Sequence, residues 1–134
     1  MKRQILLPIH PKFADLIVSG EKTYEYRKIL PLEEISHIVL YSTSPIQRMV
    51  AIVEVVEEIS DTPLKLWEKT SKEGAISLHY FEQYFSGKKY ARAYKLGKVS
   101  PLVPPIALDR LCVSSPPQSF RYLSANEFNI ISPA

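Results

Sequence analysis

Short segments with the alternating hydrophobic pattern of β-strands outnumber helical segments in this chain, and they do not alternate regularly with long helices. We predict strands over residues 4–9, 23–28, 38–41, 50–59, 89–99 and 106–113. A doubly wound parallel sheet needs a crossover helix between successive strands, and such helices are missing from the pattern. The sequence therefore predicts an α+β domain, built on a small mixed or antiparallel β-barrel with short covering helices.

Proline, glycine and hydroxyl residues mark the ends of the predicted helices. Pro11 suits the first turn of a helix, and Gly20 suits the left-handed position that follows its last turn. A second helix is expected to begin at Thr62-Pro63, and Ser77 is expected to cap a third. These local signals predict three short helices, of which the last two cover the core.

The 134 residues contain no repeat, low-complexity segment or Gly/Ser linker. We expect one domain over residues 1–125 and a C-terminal tail over 126–134. With one cysteine and three dispersed histidines, we expect no disulfide, metal site or cofactor, and the cysteine usage favours a cytoplasmic location. The first apolar run is broken by Pro8, so neither a signal peptide nor a membrane segment is expected. The net charge of +3 is compatible with an anionic partner.

The most informative stretch of the sequence runs from Gly20 to Arg27 and has the form G-x-K-x-x-E-x-R. Glu25 and Arg27 are two positions apart on a predicted strand, so their side chains should lie on the same face. Together with Lys22 they offer a bidentate guanidinium, a carboxylate acceptor and a mobile ammonium, which can bind a phosphate and the edge of a nucleobase. The same residues can equally form an exposed ion pair of little energetic value.

This motif, placed after a strand and a helix that begins with proline, resembles that of the ASCH domain family, whose fold is similar to the PUA RNA-binding domain. The order of predicted elements agrees with the family over most of the chain. The resemblance implies a binding module, with a possible regulatory role, for RNA or a nucleotide-like small molecule. In it, Arg27 and Lys22 would contact anionic oxygens, Glu25 would accept from base or sugar donors, and Tyr26 or Tyr94 would offer a stacking face.

Some members of the family resemble small amidohydrolases that act on acylated cytidine nucleosides. There, the resemblance implies a threonine nucleophile, a lysine of the G-x-K motif and a glutamate ahead of the last helix. Lys22 matches the lysine and Glu73 matches the glutamate by order, but Glu25 occupies the position of the nucleophile and has no hydroxyl. Thr23 is out of register by two positions. The sequence thus favours a binding module, with a small nucleoside amidohydrolase using Lys22, Glu25 and Glu73 as the alternative.

Four candidate ligand contacts lie outside the motif. Residues 87–98 hold five basic side chains and no acidic one, so Tyr94 can stack on a base and Lys95 can contact phosphate. The same segment can instead be a core strand whose tyrosines pack inward. Ser42 and Gln118 are expected at the mouth of a cleft, although hydroxyls at strand ends commonly cap turns.

Overall fold

A computed structural model describes residues 2–132 of the protein. Its elements are, in chain order, β1 (Arg3–Ile9), α1 (Pro11–Ser19), β2 (Tyr24–Arg27), β3 (Ile35–Ser42), β4 (Arg48–Asp61), α2 (Pro63–Thr70), α3 (Leu78–Tyr84), β5 (Ala91–Ile106), a 3-10 helix (Leu108–Leu111), β6 (Arg121–Leu123) and α4 (Ala125–Ile131). The six strands form one sheet in the order β2-β5-β4-β3-β1-β6. Strand β1 is parallel to β3, and every other neighbouring pair is antiparallel.

The sheet is open, which corrects the expected β-barrel. A barrel requires its two edge strands to pair with each other, and within residues 2–132 the edge strands β2 and β6 form no ladder together. The predicted strand over 106–113 was also wrong, because β5 ends at Ile106 and a 3-10 helix follows. Strand β5 instead continues through Pro101, which lies opposite Ala51 of β4.

Helix α1 has the two ends that the sequence predicts. Pro11 is its first residue, and the Nδ1 atom of His10 accepts a hydrogen bond from the backbone N–H of Lys12 at 3.1 Å. Gly20 ends the helix with a positive φ of 89°, and its N–H donates to the carbonyl of Ile17 at 3.1 Å. These two ends fix where the chain leaves β1 and where it enters β2.

Three clusters of apolar side chains hold the helices on the sheet. Helix α1 packs through Ile17 on residues of β1, β3 and β5, while Phe81 and Phe85 join the cluster between β2, β5 and helices α2 and α3. Residues of the expected tail form α4, and Ile131 is buried against β1 and the 3-10 helix. Residues 133 and 134 of that segment lie outside the described range. No helix between residues 2 and 132 is long and apolar enough to cross a membrane.

Candidate functional site

An open cleft of about 210 Å³ lies where the end of β1, helix α1, strand β2 and helix α3 meet. Its walls carry aromatic rings and its floor carries charged groups. The lining residues are Pro8, Ile9, His10, Phe13, Lys22, Glu25, Tyr26, Arg27, Ile76, Tyr80 and Tyr84. The structure therefore brings all three charged residues of the G-x-K-x-x-E-x-R motif to one concave surface.

The three charged side chains form a connected cluster on the floor of the cleft. The Nε and Nη2 atoms of Arg27 lie 3.1 Å from Glu25 Oε2, and the Lys22 ammonium lies 3.8 Å from Glu25 Oε1. Lys22 is 2% exposed and Glu25 is 6% exposed. A solvated surface ion pair, the alternative that the sequence left open, does not describe this arrangement. With both cations protonated, one carboxylate serves two positive charges.

Lys22 is held by the loop between α2 and α3. Its ammonium donates a hydrogen bond to the backbone carbonyl of Gly74, and it lies 5.3 Å and 5.0 Å from the ring centres of Phe13 and Tyr26. Burial lowers the pKa of Lys22, the negative charge of Glu25 opposes that change, and the positive charge of Arg27 adds to it. An anion placed beside the ammonium would favour its charged form.

Arg27 connects the cluster to the end of β1. Its Nη2 atom donates to the carbonyl of Pro8 at 2.8 Å as well as to Glu25. Within residues 2–132 we find no hydrogen bond from its remaining nitrogen, Nη1, and the side chain is 19% exposed. The guanidinium is thus fixed on one side and has a free donor edge for a ligand in the cleft.

A row of four aromatic rings lines the cleft beside this cluster; we call His10, Phe13, Tyr80 and Tyr84 the aromatic wall. Successive ring centres lie 6.1 Å, 5.7 Å and 6.3 Å apart. Because Nδ1 of His10 accepts the N–H of Lys12, the neutral ring carries its proton on Nε2 and acts there as a donor. Sequence analysis missed this wall.

Local signals for the aromatic wall do exist in the sequence. His10 stands directly before the proline that starts α1, which is the position of a helix cap. Tyr80 and Tyr84 are four residues apart on α3, so they share a helix face, and that face differs from the one that buries Phe81 and Phe85. What the sequence does not show is that α3 and α1 meet.

The two candidate stacking tyrosines lie in the core. Tyr26 is 5% exposed, its hydroxyl lies 2.7 Å from Thr70 Oγ1, and burial raises its pKa. Tyr94 is 1% exposed and lies among residues of β1, β3 and α1. Burial raises its pKa well above the ordinary value for tyrosine. The edge of Tyr26 contributes to the cleft, whereas Tyr94 offers no face to a ligand.

The remaining predicted contacts lie away from the cleft lining. Ser42 is buried at the end of β3, opposite Ile9 of β1. Gln118 is exposed in the loop before β6. The Glu73 side chain is exposed, although its backbone carbonyl accepts a hydrogen bond from the N–H of Thr23 at 2.8 Å. The structure therefore does not bring Glu73 together with Lys22 and Glu25 as a set of side chains.

Acidic residues of β4 lie beside the basic segment of β5 in the sheet. Lys95 is exposed, and Glu57 of β4 lies opposite it in the ladder. The backbone N–H of Lys98 donates to the Glu54 carboxylate at 3.3 Å. Since the acidic partners come from another strand, the run of positive charge seen in the sequence is not a purely basic surface in the fold.

The open mixed sheet and its covering helices define a small α+β domain with a charged cleft that is lined by residues between positions 8 and 84. The chain belongs to the ASCH domain family, whose family model matches residues 7–100. That span contains the entire G-x-K-x-x-E-x-R motif and the whole aromatic wall.

The chain is similar to proteins of Zymomonas mobilis and Ureaplasma parvum. An ASCH domain-containing ribonuclease of Zymomonas mobilis is 30% identical over 131 residues, which cover 94% of this chain and 88% of that protein. The crystal structure of ASCH from Zymomonas mobilis superposes with a TM-score of 0.88 at 29% identity, covering 96% of this chain and 92% of the other. Large ribosomal subunit protein uL22 of Ureaplasma parvum is 26% identical over 89% of this chain, which spans only 39% of that protein.

Proposed function

We propose that the cleft binds RNA by holding a backbone phosphate between Lys22 and Arg27. The observation that carries this proposal is the cluster on its floor, in which two buried or partly buried cations share a single carboxylate. A phosphate would supply the missing negative charge and would accept from the free Nη1 edge of Arg27. Glu25 would keep both cations in place and accept from base or sugar donors near the phosphate.

Energetics favour a ligand site over a purely structural role for this cluster. Removing a charged group from water costs free energy that only well-matched partners offset. Here burial lowers the pKa of Lys22 even though Glu25 lies beside it, so the charged ammonium is incompletely compensated by the protein itself. An anionic ligand would complete the compensation, and it would do so where low solvent content strengthens the attraction.

RNA is favoured over other anions because aromatic rings line the same cleft. Phosphates next to stacking surfaces are typical of sites for single-stranded nucleic acid. The ribonuclease of Zymomonas mobilis, which is similar over 94% of this chain, also supports RNA as the partner class. A free nucleotide carries the same two chemical groups, so it should compete with RNA for the cleft.

RNA cleavage is a second candidate function for the same cleft. Proton transfer needs a group whose pKa lies closer to neutrality than usual, and the pKa of Lys22 is lowered. The similar protein of Zymomonas mobilis is a ribonuclease, which supports cleavage as well. The nucleoside amidohydrolase alternative stays a prediction with less support, because the Glu73 side chain does not line the cleft.

Fluorescence anisotropy with a labelled RNA, at low ionic strength, tests binding. We expect Arg27→Ala to weaken affinity on the order of tenfold to a hundredfold, since a hydrogen bond between charged groups is lost. Arg92→Ala is a matched control: Arg92 lies opposite Arg27 on β5, is not among the cleft residues, and its loss changes net charge equally. Unchanged affinity in Arg27→Ala, or no RNA binding by the wild-type protein, would contradict the proposal.

Denaturing gels of the same mixtures separate binding from cleavage. If the cleft cleaves RNA, labelled fragments should accumulate with the wild-type protein and be lost in Lys22→Met, which keeps a long, unbranched side chain but has no ammonium group. Binding without fragments would leave the protein a binding module. Fragments that persist in Lys22→Met would assign cleavage to other residues.

A further inference from the structure

We infer that the cleft accepts an unpaired nucleotide, whose base stacks on Tyr80 while its phosphate is held by Arg27 and Lys22. This inference rests on the proposed function and names its substrate class: single-stranded RNA in preference to duplex RNA. It assigns a binding role to the aromatic wall, which neither the motif nor the charge cluster explains.

Tyr80 presents an exposed ring that is separated from the charged floor by the ring of Phe13. Its side chain is 46% exposed, and its ring meets the edge of Phe13 with centres 5.7 Å apart. The Lys22 ammonium lies over the same Phe13 ring at 5.3 Å. A single intervening ring thus separates the proposed stacking surface from the proposed phosphate site, a separation that one nucleotide can bridge.

Tyr84 extends the surface in the same orientation. Its ring is nearly parallel to that of Tyr80, with an interplanar angle of 13° and centres 6.3 Å apart. The Lys28 ammonium lies 4.8 Å from the Tyr84 ring centre, which places a further cation at this end of the wall. Rings interleaved with cations are what a strand of alternating bases and phosphates requires.

Tyr80 lies outside the apolar cluster that holds α3 on the sheet. That cluster contains Phe81 and Phe85, which are 1% and 3% exposed and pack on Tyr26, and the partly buried Tyr84 packs against it. If α3 only covered the core, a polar residue at position 80 would be sufficient. The aromatic ring at this position therefore indicates contact with a ligand that has a flat, apolar face.

Base pairing would prevent this contact. In a duplex the faces of each base are covered by its neighbours, and A-form grooves do not let a recessed ring reach them. An unpaired base can swing out of its strand and lie flat on Tyr80 without breaking a pair. The cleft therefore selects RNA by its strandedness, and stacking tolerates any base.

Anisotropy titrations with a labelled RNA of about ten nucleotides, as a single strand and as a duplex, test the inference. We expect the wild-type protein to prefer the single strand, and Tyr80→Ala and Tyr80→Leu to bind it on the order of tenfold more weakly. Tyr80→Phe keeps the stacking face and should bind normally. Tyr90→Ala is the matched control, since Tyr90 is 47% exposed but does not line the cleft.

A second measurement uses the wild-type protein alone, so that no variant needs to fold. A strand of abasic ribose phosphates should bind on the order of tenfold more weakly than the strand with bases. Equal affinity for abasic and normal strands, for single strand and duplex, or for Tyr80→Ala and wild type would overturn the inference while RNA binding stands. Absence of any RNA binding would instead overturn the proposed function.

Discussion

The ammonium group of Lys22 donates a hydrogen bond to the backbone carbonyl of Gly74, which lies 52 positions later in the chain. This bond fixes one cation of the cleft to the loop between α2 and α3. The same loop accepts the N–H of Thr23 through the carbonyl of Glu73. The first half of the charged motif is thus positioned by a segment that contributes no charged side chain to the cleft.

Gly74→Ala should impair both folding and binding. A Cβ atom at this position would overlap the hydroxyl and ring of Tyr26, so the loop must shift and carry the Lys22 acceptor with it. We expect a loss of about 1–3 kcal/mol in the free energy of unfolding, measured with urea, together with weaker RNA binding.

Gly20→Ala is the control for this prediction. Gly20 has a φ of 89°, and no atom lies within 4 Å of an added Cβ, so only backbone strain of about 1 kcal/mol is expected. RNA affinity should stay at the wild-type value. If folded Gly74→Ala also keeps full affinity, the position of Lys22 does not depend on the loop.

Replacing Lys22 with Met should change how stability depends on pH. Burial lowers the pKa of Lys22 below its ordinary value of 10.5, so near that value the unfolded chain binds more protons than the folded protein. The contribution of Lys22 to the free energy of unfolding is therefore smallest below its pKa in the folded protein. This contribution increases as the pH rises towards 10.5. We expect the stability of the wild type relative to Lys22→Met to increase over this interval.

Urea unfolding at a series of alkaline pH values measures the difference in stability between the wild type and Lys22→Met. The two proteins share all other titrating groups, so the contributions of those groups cancel. Lys95→Met serves as the control, because Lys95 is an exposed lysine outside the cleft. The change with pH should be larger for Lys22→Met, because Lys22 is buried and Lys95 is exposed. A flat difference for Lys22→Met would show that burial does not disfavour the charged ammonium.

The salt dependence of RNA affinity should distinguish the cleft from the basic strand. Each phosphate contact in a single strand contributes about −0.7 to the slope of log affinity against log salt. We expect Arg27→Ala to reduce that slope by roughly one such contact. Lys95→Ala should change it less, because Glu57 lies opposite Lys95 and offsets its charge. The reverse order would place the phosphates on β5.

Tyr94→Phe should reduce the loss of stability at alkaline pH. Burial raises the pKa of Tyr94 above 10.0, so the folded protein keeps a proton that the unfolded chain releases. Stability contributed by the phenol is complete below pH 10.0 and is lost as pH rises through the folded pKa. Urea unfolding should give a shallower decline for Tyr94→Phe; identical slopes would mean that another group dominates.

Residues that mark the ends of an element allowed that element to be predicted from the sequence. Helix α1 begins at Pro11 and is ended by Gly20, and alternation along β2 places Glu25 and Arg27 on the face that lines the cleft. Helix α4 was missed although Ser124 and Glu127 form a capping box, a local signature that marks a helix start.

Tertiary contacts determined what the sequence left open. Tyr94 alternates with charged residues as a ligand-facing tyrosine would, but α1 and the neighbouring strands bury it. The aromatic wall exists because α1 and α3 approach each other, and no local pattern reports that approach. Closure of the sheet likewise depends on both edges, so a count of strands could not separate a barrel from an open sheet.

An open sheet leaves two edges at which another chain can add a strand, and such edges promote aggregation. In this protein the edge strands are the shortest of the six: β2 has four residues and β6 has three, against sixteen in β5. Few unpaired backbone groups are therefore exposed in a row at either edge. The short edge strands thus leave little backbone on which a second copy of the protein could add a strand.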